Sequence, residues 1–221
     1  MIMTAPVSKS NIILQSGDAL LLVDVQKDFL SGGALAVPRG DEVVPVLNRY
    51  LNKFQERSLP VYASRDWHPS GHCSFAEQGG PWPAHCVQAT EGAQFDDALV
   101  LPKSAGIISK ASTPNQETYS AFQETNLNEK LKAKNIRRLF VGGLATDYCV
   151  LNSVKDAIQL GYNVYLLEDA IRAVNVQSED GCKAIEEMIR MGAHLCLIGD
   201  LRPAPTHSNA LLTDLYQLTM M

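Results

Sequence analysis

Short runs of Val, Ile and Leu recur along this chain with longer amphipathic stretches between them, and that alternation restricts the fold more than any other feature. The runs Ala19–Val25, Pro60–Arg65, Gly106–Ser109, Arg138–Gly142, Asn163–Leu167 and His194–Ile198 lack the polar alternation of strands wetted on one face. Strands buried on both faces belong to parallel sheets covered by crossover helices. The expected fold is therefore α/β, a mostly parallel six-stranded sheet with helices on both faces in a Rossmann-like three-layer arrangement.

The intervening stretches read as helices. Glu42–Glu56 spaces Val43, Val46, Leu47, Tyr50, Leu51 and Phe54 close to the helical period. Val150–Leu160 stops at Gly161, and Glu179–Met191 starts after Ser178, an expected N-cap, and stops at Gly192. A length of 221 residues suits one sizeable domain. It is expected over 18–200, with an N-terminal extension over 1–17 and a tail over 201–221.

Net charge is −5 and no basic stripe occurs, which argues against a nucleic-acid or anionic-membrane partner. The one dense basic spot, Lys130, Lys132, Lys134, Arg137 and Arg138, reads as the solvated end of a helix. No segment approaches the roughly 20 apolar residues of a membrane span. Cys73, Cys86, Cys149, Cys182 and Cys196 are odd in number and include no CxxC pair, so neither a disulfide framework nor a zinc knuckle is expected. A reducing cytoplasm is the expected location, and the sequence is compatible with a homo-oligomer.

Chemistry gathers at the ends of the expected strands. Cys149 follows Gly142-Gly143-Leu144-Ala145-Thr146-Asp147-Tyr148, between a strand and a helix. With Thr146 as N-cap it would lie in the first helical turn, where unpaired amides and the dipole favour a thiolate and could hold an oxyanion. Asp24 ends an apolar run that has no other use for a carboxylate, and burial would raise its pKa toward that of a proton acceptor. Lys110 closes the third strand at the same sheet edge, where it could hold Asp24 and balance a thiolate. Each residue alone has an ordinary structural explanation; three at one edge do not.

Asp66–Gln94 is a long connection rich in Gly, Pro, His and Trp, and loops this long in a compact domain are usually functional. Asp66, His68 and His85 offer a carboxylate and two imidazoles suited to one divalent ion, zinc, iron or manganese, with positions left for water or substrate. His72 crowds the same loop, and Cys86, beside His85, reads as structural.

These residues resemble the nicotinamidase/pyrazinamidase branch of the isochorismatase-like cysteine hydrolases over roughly 19–199. The resemblance is carried by Val-Asp24-Val-Gln-Lys-Asp-Phe29, Arg-Asp66-Trp-His68-Pro, Pro-Trp82-Pro-Ala-His85-Cys, Lys110 and Gly-Leu144-Ala145-Thr-Asp-Tyr-Cys149-Val. It implies a Cys149–Asp24–Lys110 triad, metal ligands Asp66, His68 and His85, and His72 where some relatives place a fourth. It further implies a cis peptide at Leu144–Ala145, an oxyanion hole from the amides of Ala145 and Cys149, and Phe29, Trp82 and Tyr119 as walls for a pyridine ring. The implied reaction is deamidation of nicotinamide to nicotinate and ammonia through a thioester, in NAD salvage, with zinc the foremost metal. Residues 209–220, Asn-Ala-Leu-Leu-Thr-Asp-Leu-Tyr-Gln-Leu-Thr-Met, resemble the opening of nicotinate phosphoribosyltransferase, implying a fusion to an enzyme that consumes nicotinate. A sister amidohydrolase for carbamoyl or ureido substrates would share the triad without needing the metal set, and an inactive binding member of the fold would need neither.

Overall fold

The computed structural model describes residues 11–203. Residues 209–220, and with them the expected fusion segment, lie outside the described residues. Eight strands are present: β1 (Ile12–Ile13), β2 (Asp18–Val23), β3 (Val61–Asp66), β4 (Gly106–Lys110), β5 (Arg138–Leu144), β6 (Asn163–Arg172), β7 (His194–Cys196) and β8 (Leu201–Arg202). The helices are α1 (Val43–Gln55), α2 (Leu127–Ala133), α3 (Leu151–Gln159) and α4 (Asp180–Met191).

Six strands form one parallel sheet in the order β4-β3-β2-β5-β6-β7. The chain winds outward from β2 through β3 to β4, then returns to the other side of β2 and winds outward again. Such a reversal leaves a crevice at the C-terminal strand ends between β2 and β5, where α/β sheets bind ligands.

Both faces are covered because β2 is apolar on both. Leu20 and Leu22 pack with Leu47, Tyr50, Leu51 and Phe54 of α1. Ala19, Leu21 and Val23 pack on the opposite side with Leu131 of α2, Val154 and Ala157 of α3 and Met188 of α4. The expected fold class and all six expected strands are present.

Several boundaries move. Asp24 is the first residue beyond β2 rather than part of it, at φ 49°, a left-handed conformation that aspartate tolerates better than most residues. β6 continues to Arg172, five residues past the expected end, with a register shift opposite Val141 and Gly143. β7 stops at Cys196, and Ile198–Asp200 forms a 3-10 turn. Thr146 is not an N-cap: it opens a single π-helical turn over Thr146–Val150 whose capping residue is Ala145. Ser178 is not the cap of α4 either, since Glu179 takes that place in a left-handed conformation.

The body also takes in residues expected to belong to the extension and tail. β1 and β8 pair in parallel, Ile12 with Leu201 and Ile13 with Arg202, as a separate two-stranded sheet. Arg138 opens β5 and is not a solvated helix end. Its guanidinium grips the buried Asp18 carboxylate with two 2.6 Å hydrogen bonds and reaches the Ile13 carbonyl at 2.8 Å. Without Arg138, Asp18 keeps only the Gln15 amide, at 2.8 Å. Arg138→Leu should therefore cost about 3 kcal/mol, read as a lower urea midpoint with unchanged slope.

Candidate active site

Four strand ends deliver one charged cluster. Asp24 follows β2, Asp66 ends β3, Lys110 ends β4, and Cys149 sits in the π turn after β5. Gly143 lets the last of these approach: it holds φ 124°, and a Cβ there would lie 2.1 Å from the Val23 carbonyl oxygen.

Lys110 is 1% exposed and forms the hub. Its Nζ lies 3.0 Å from Asp24 Oδ2 and 3.4 Å from Cys149 Sγ, bonds Asp66 Oδ1, and donates to the Thr118 carbonyl at 3.3 Å. Burial alone would strip its proton, but the two carboxylates outweigh it and hold the amine charged, well above the ordinary lysine range. Asp24 is pushed upward by burial, with Lys110 and a Ser64 hydrogen bond pulling the other way. Burial opposes ionisation of Asp66 too, but Lys110 and His68 prevail and keep its carboxyl below the usual range. Burial lifts the Cys149 thiol well above the ordinary cysteine range despite Lys110 beside it. The helix-terminal position was expected to lower this pKa; burial acts the other way and favours the protonated thiol.

Asp24 lies beside this thiol: a carboxylate oxygen of Asp24 and Cys149 Sγ are within 4.8 Å of each other. Ser64, fully buried on β3, donates its hydroxyl to Asp24 Oδ1 at 2.7 Å, and its carbonyl accepts the Asp24 amide at 3.2 Å. The Leu144–Ala145 peptide is cis, as the resemblance implies. The Ala145 carbonyl accepts the amides of Tyr148 and Val150, both at 3.1 Å, and passes over the Cys149 amide between them.

Beside this cluster, ligand atoms of Asp66, His68 and His85 all lie within 4.8 Å of one another, and all three residues are buried. Neither ring nitrogen of His68 has a hydrogen-bond partner although the ring is 1% exposed. An orphaned buried imidazole is costly unless something binds it, so the donor set fits a divalent cation. His85 directs Nδ1 at the Pro83 carbonyl, 2.8 Å away, leaving Nε2 as its free donor, and burial keeps the ring neutral by lowering its pKa. His72 stacks beside His68 with ring centroids 4.2 Å apart, but both its nitrogens are engaged, by Ser74 Oγ at 2.7 Å and the Gln116 carbonyl at 3.0 Å. It borders the group rather than joining it.

The cluster opens into a small pocket of about 30 Å³. Phe29, Trp82 and Tyr119 all line it, as expected from the sequence. Trp82 Nε1 donates to Tyr119 Oη at 3.1 Å, and Tyr148 meets the Trp82 ring edge-on at 5.1 Å. Leu35, Val37, Tyr148 and Val174 complete the lining without having been singled out by sequence. Tyr148 had a signal, an aromatic adjacent to Cys149; Ser64 had one too, a hydroxyl inside an apolar strand.

An isochorismatase domain model matches residues 18–199. The chain is 45% identical to the nicotinamidase of Escherichia coli K12 over 203 residues, 82% of this chain and 95% of the relative. Among solved structures, the pyrazinamidase of Pyrococcus horikoshii in complex with zinc is 46% identical with a TM-score of 0.79, covering 82% of this chain and 99% of that one. PnC1 from L. infantum, solved in complex with nicotinate, is 34% identical with a TM-score of 0.80, covering 86% and 98%.

Removing the hub should be costlier than removing any wall of the pocket. Lys110→Met leaves Asp24 and Asp66 buried without their shared cation, and chemical denaturation should show a loss of about 3 kcal/mol or more. Tyr119→Phe keeps the ring in place and should change stability far less in the same assay.

Proposed function

The chain belongs to the isochorismatase family, and on that premise we propose that it is a metal-dependent cysteine amidohydrolase that converts nicotinamide to nicotinate and ammonia. One observation carries this reading: the buried Lys110 amine joins Asp24 and Cys149 on one side to Asp66 of the His68–His85 group on the other. A nucleophile, its base and a cation site thus meet in one cluster, of which Cys149, Asp66 and His85 line one aromatic pocket.

The proposed roles follow from the geometry. Asp24, its carboxyl lifted by burial, takes the proton of the Cys149 thiol, and Sγ attacks the carboxamide carbon. Lys110 offsets the charge that develops on sulfur, at 3.4 Å. The amides of Ala145 and Cys149 donate to the oxyanion. Asp24 returns the proton to the departing nitrogen, ammonia leaves, and a nicotinoyl thioester remains on Cys149. Asp24 then takes a proton from the incoming water, the thioester is cleaved, and the thiol is regenerated with release of nicotinate.

A zinc ion held by Asp66, His68 and His85 would supply a fixed positive charge that orients the pyridine ring in the pocket. Phe29, Trp82 and Tyr119 flank the ring in the pocket. No helix among the described residues is long and apolar enough to cross a membrane. With its cysteines free, we place the enzyme in a reducing cytoplasm as part of NAD salvage.

Ammonia release from nicotinamide tests the assignment. Cys149→Ala should lower kcat by about 10⁴-fold or more. His68→Ala should lower kcat/KM by about 10²-fold or more, as a misplaced substrate would, and should also lose stoichiometric zinc. Ammonia release that survives Cys149→Ala overturns the mechanism; full activity of zinc-free His68→Ala overturns the metal's role.

A further inference from the structure

The segment that delivers Asp24 continues through Gln26 and Asp28, two polar residues to which the reaction gives no part. Gln26 is fully buried, and its amide group is satisfied on every side. Nε2 donates to the carbonyls of Asp66 at 2.8 Å and Ala93 at 2.9 Å, while Oε1 accepts the Asp66 amide at 2.7 Å. One side chain therefore grips both backbone groups of Asp66.

Asp28 reaches the segment carrying the histidines. Its Oδ2 accepts the amide of Cys86, next to His85, at 2.6 Å, and its Oδ1 accepts that of Ala34 at 3.2 Å. The Cys86 carbonyl accepts the His68 amide at 3.0 Å, and the His68 carbonyl accepts the Gln88 amide at 2.8 Å. Cys86 holds φ 46°, a left-handed conformation that persists in a non-glycine residue only where the surroundings impose it. Gly92 makes room for this arrangement, since a Cβ there would sit 2.2 Å from the Asp28 carboxylate oxygens.

Asp66, His68 and His85 come from two stretches of a long connection, joined beside His68 by a single bridge of strand type, to Val87. The spacing of the three side chains is set by whatever fixes those stretches. We propose that Gln26 and Asp28 are the positioning residues of the cation site: Gln26 fixes Asp66, and Asp28, through Cys86, fixes His85 against His68. This rests on the metal reading above. It makes the turn after β2 common to both halves of the site, with Asp24 serving the nucleophile and its two neighbours serving the cation.

Zinc affinity of the full chain, measured by competition with a chromophoric chelator, tests the proposal on the wild type, Gln26→Met, Asp28→Asn and Arg138→Leu. The first two variants should raise the zinc dissociation constant roughly 10- to 100-fold, the range for partners that orient metal ligands. Their kcat for ammonia release should recover toward wild type as zinc is raised. Arg138→Leu is destabilised far from the site and should bind zinc as the wild type does. Wild-type zinc affinity in a folded Gln26→Met or Asp28→Asn overturns the proposal, as does an equal loss in Arg138→Leu. If Gln26→Met does not fold, Asp28→Asn decides alone. A wild type that binds no zinc overturns the metal reading itself, so the two failures are told apart by the wild-type measurement.

Discussion

A protonated amine shut away from water persists only beside negative charge, and Lys110 is held by two carboxylates from two neighbouring strands. That requirement runs in both directions. Asp24 and Asp66, buried close together, could not both remain ionised without a cation between them. Satisfying the three together brings the ends of β2, β3 and β4 to one point, and the Cys149 thiol lies within reach of the same amine. The site is thus also a structural node of the sheet, and loss of its one amine would leave two buried carboxylates without a cation.

The sheet order makes that convergence available. With β2 at the centre and winding reversed on its two sides, the end of β2 and the turn after β5 face each other across the crevice. Apolar packing on both faces of β2 fixes the strand itself, so that the residue following it, Asp24, need not contribute to the core. Asp24 departs from extended backbone at that point, and two hydrogen bonds with Ser64, one donated by each residue, hold it there.

Much of this was legible in the residues. Unbroken apolar runs announced strands buried on both faces, and Asp24, Lys110 and Cys149 stood out because polar groups at apolar strand ends need a reason. The resemblance supplied the cis peptide and the pocket walls. What could not be read depends on distances along the chain. Nothing local tells that Lys110 would be shared with Asp66, 44 residues away, or that Gln26 would grip the same residue from 40 residues away. The lowered thiol pKa expected at Cys149 is opposed by burial, which is a property of the whole fold. The N-caps assigned to Thr146 and Ser178 fell to local geometry, a π turn and a left-handed Glu179. His72 was weighed with the ligands on the resemblance and on its place in the loop, and both its nitrogens are engaged, by Ser74 and Gln116.

The small sheet of β1 and β8 has a consequence for how the chain is made. Arg202 donates to Asn11 across 191 residues of sequence, and Ile12 pairs with Leu201 beside it. During synthesis Ile12 emerges before every strand of the main sheet, and its partner is added only after all of them. β1 must therefore wait, unpaired, until the whole main sheet has been synthesised. Contacts of such long range close last and slowly, so this clasp seals a sheet already assembled rather than guiding its assembly.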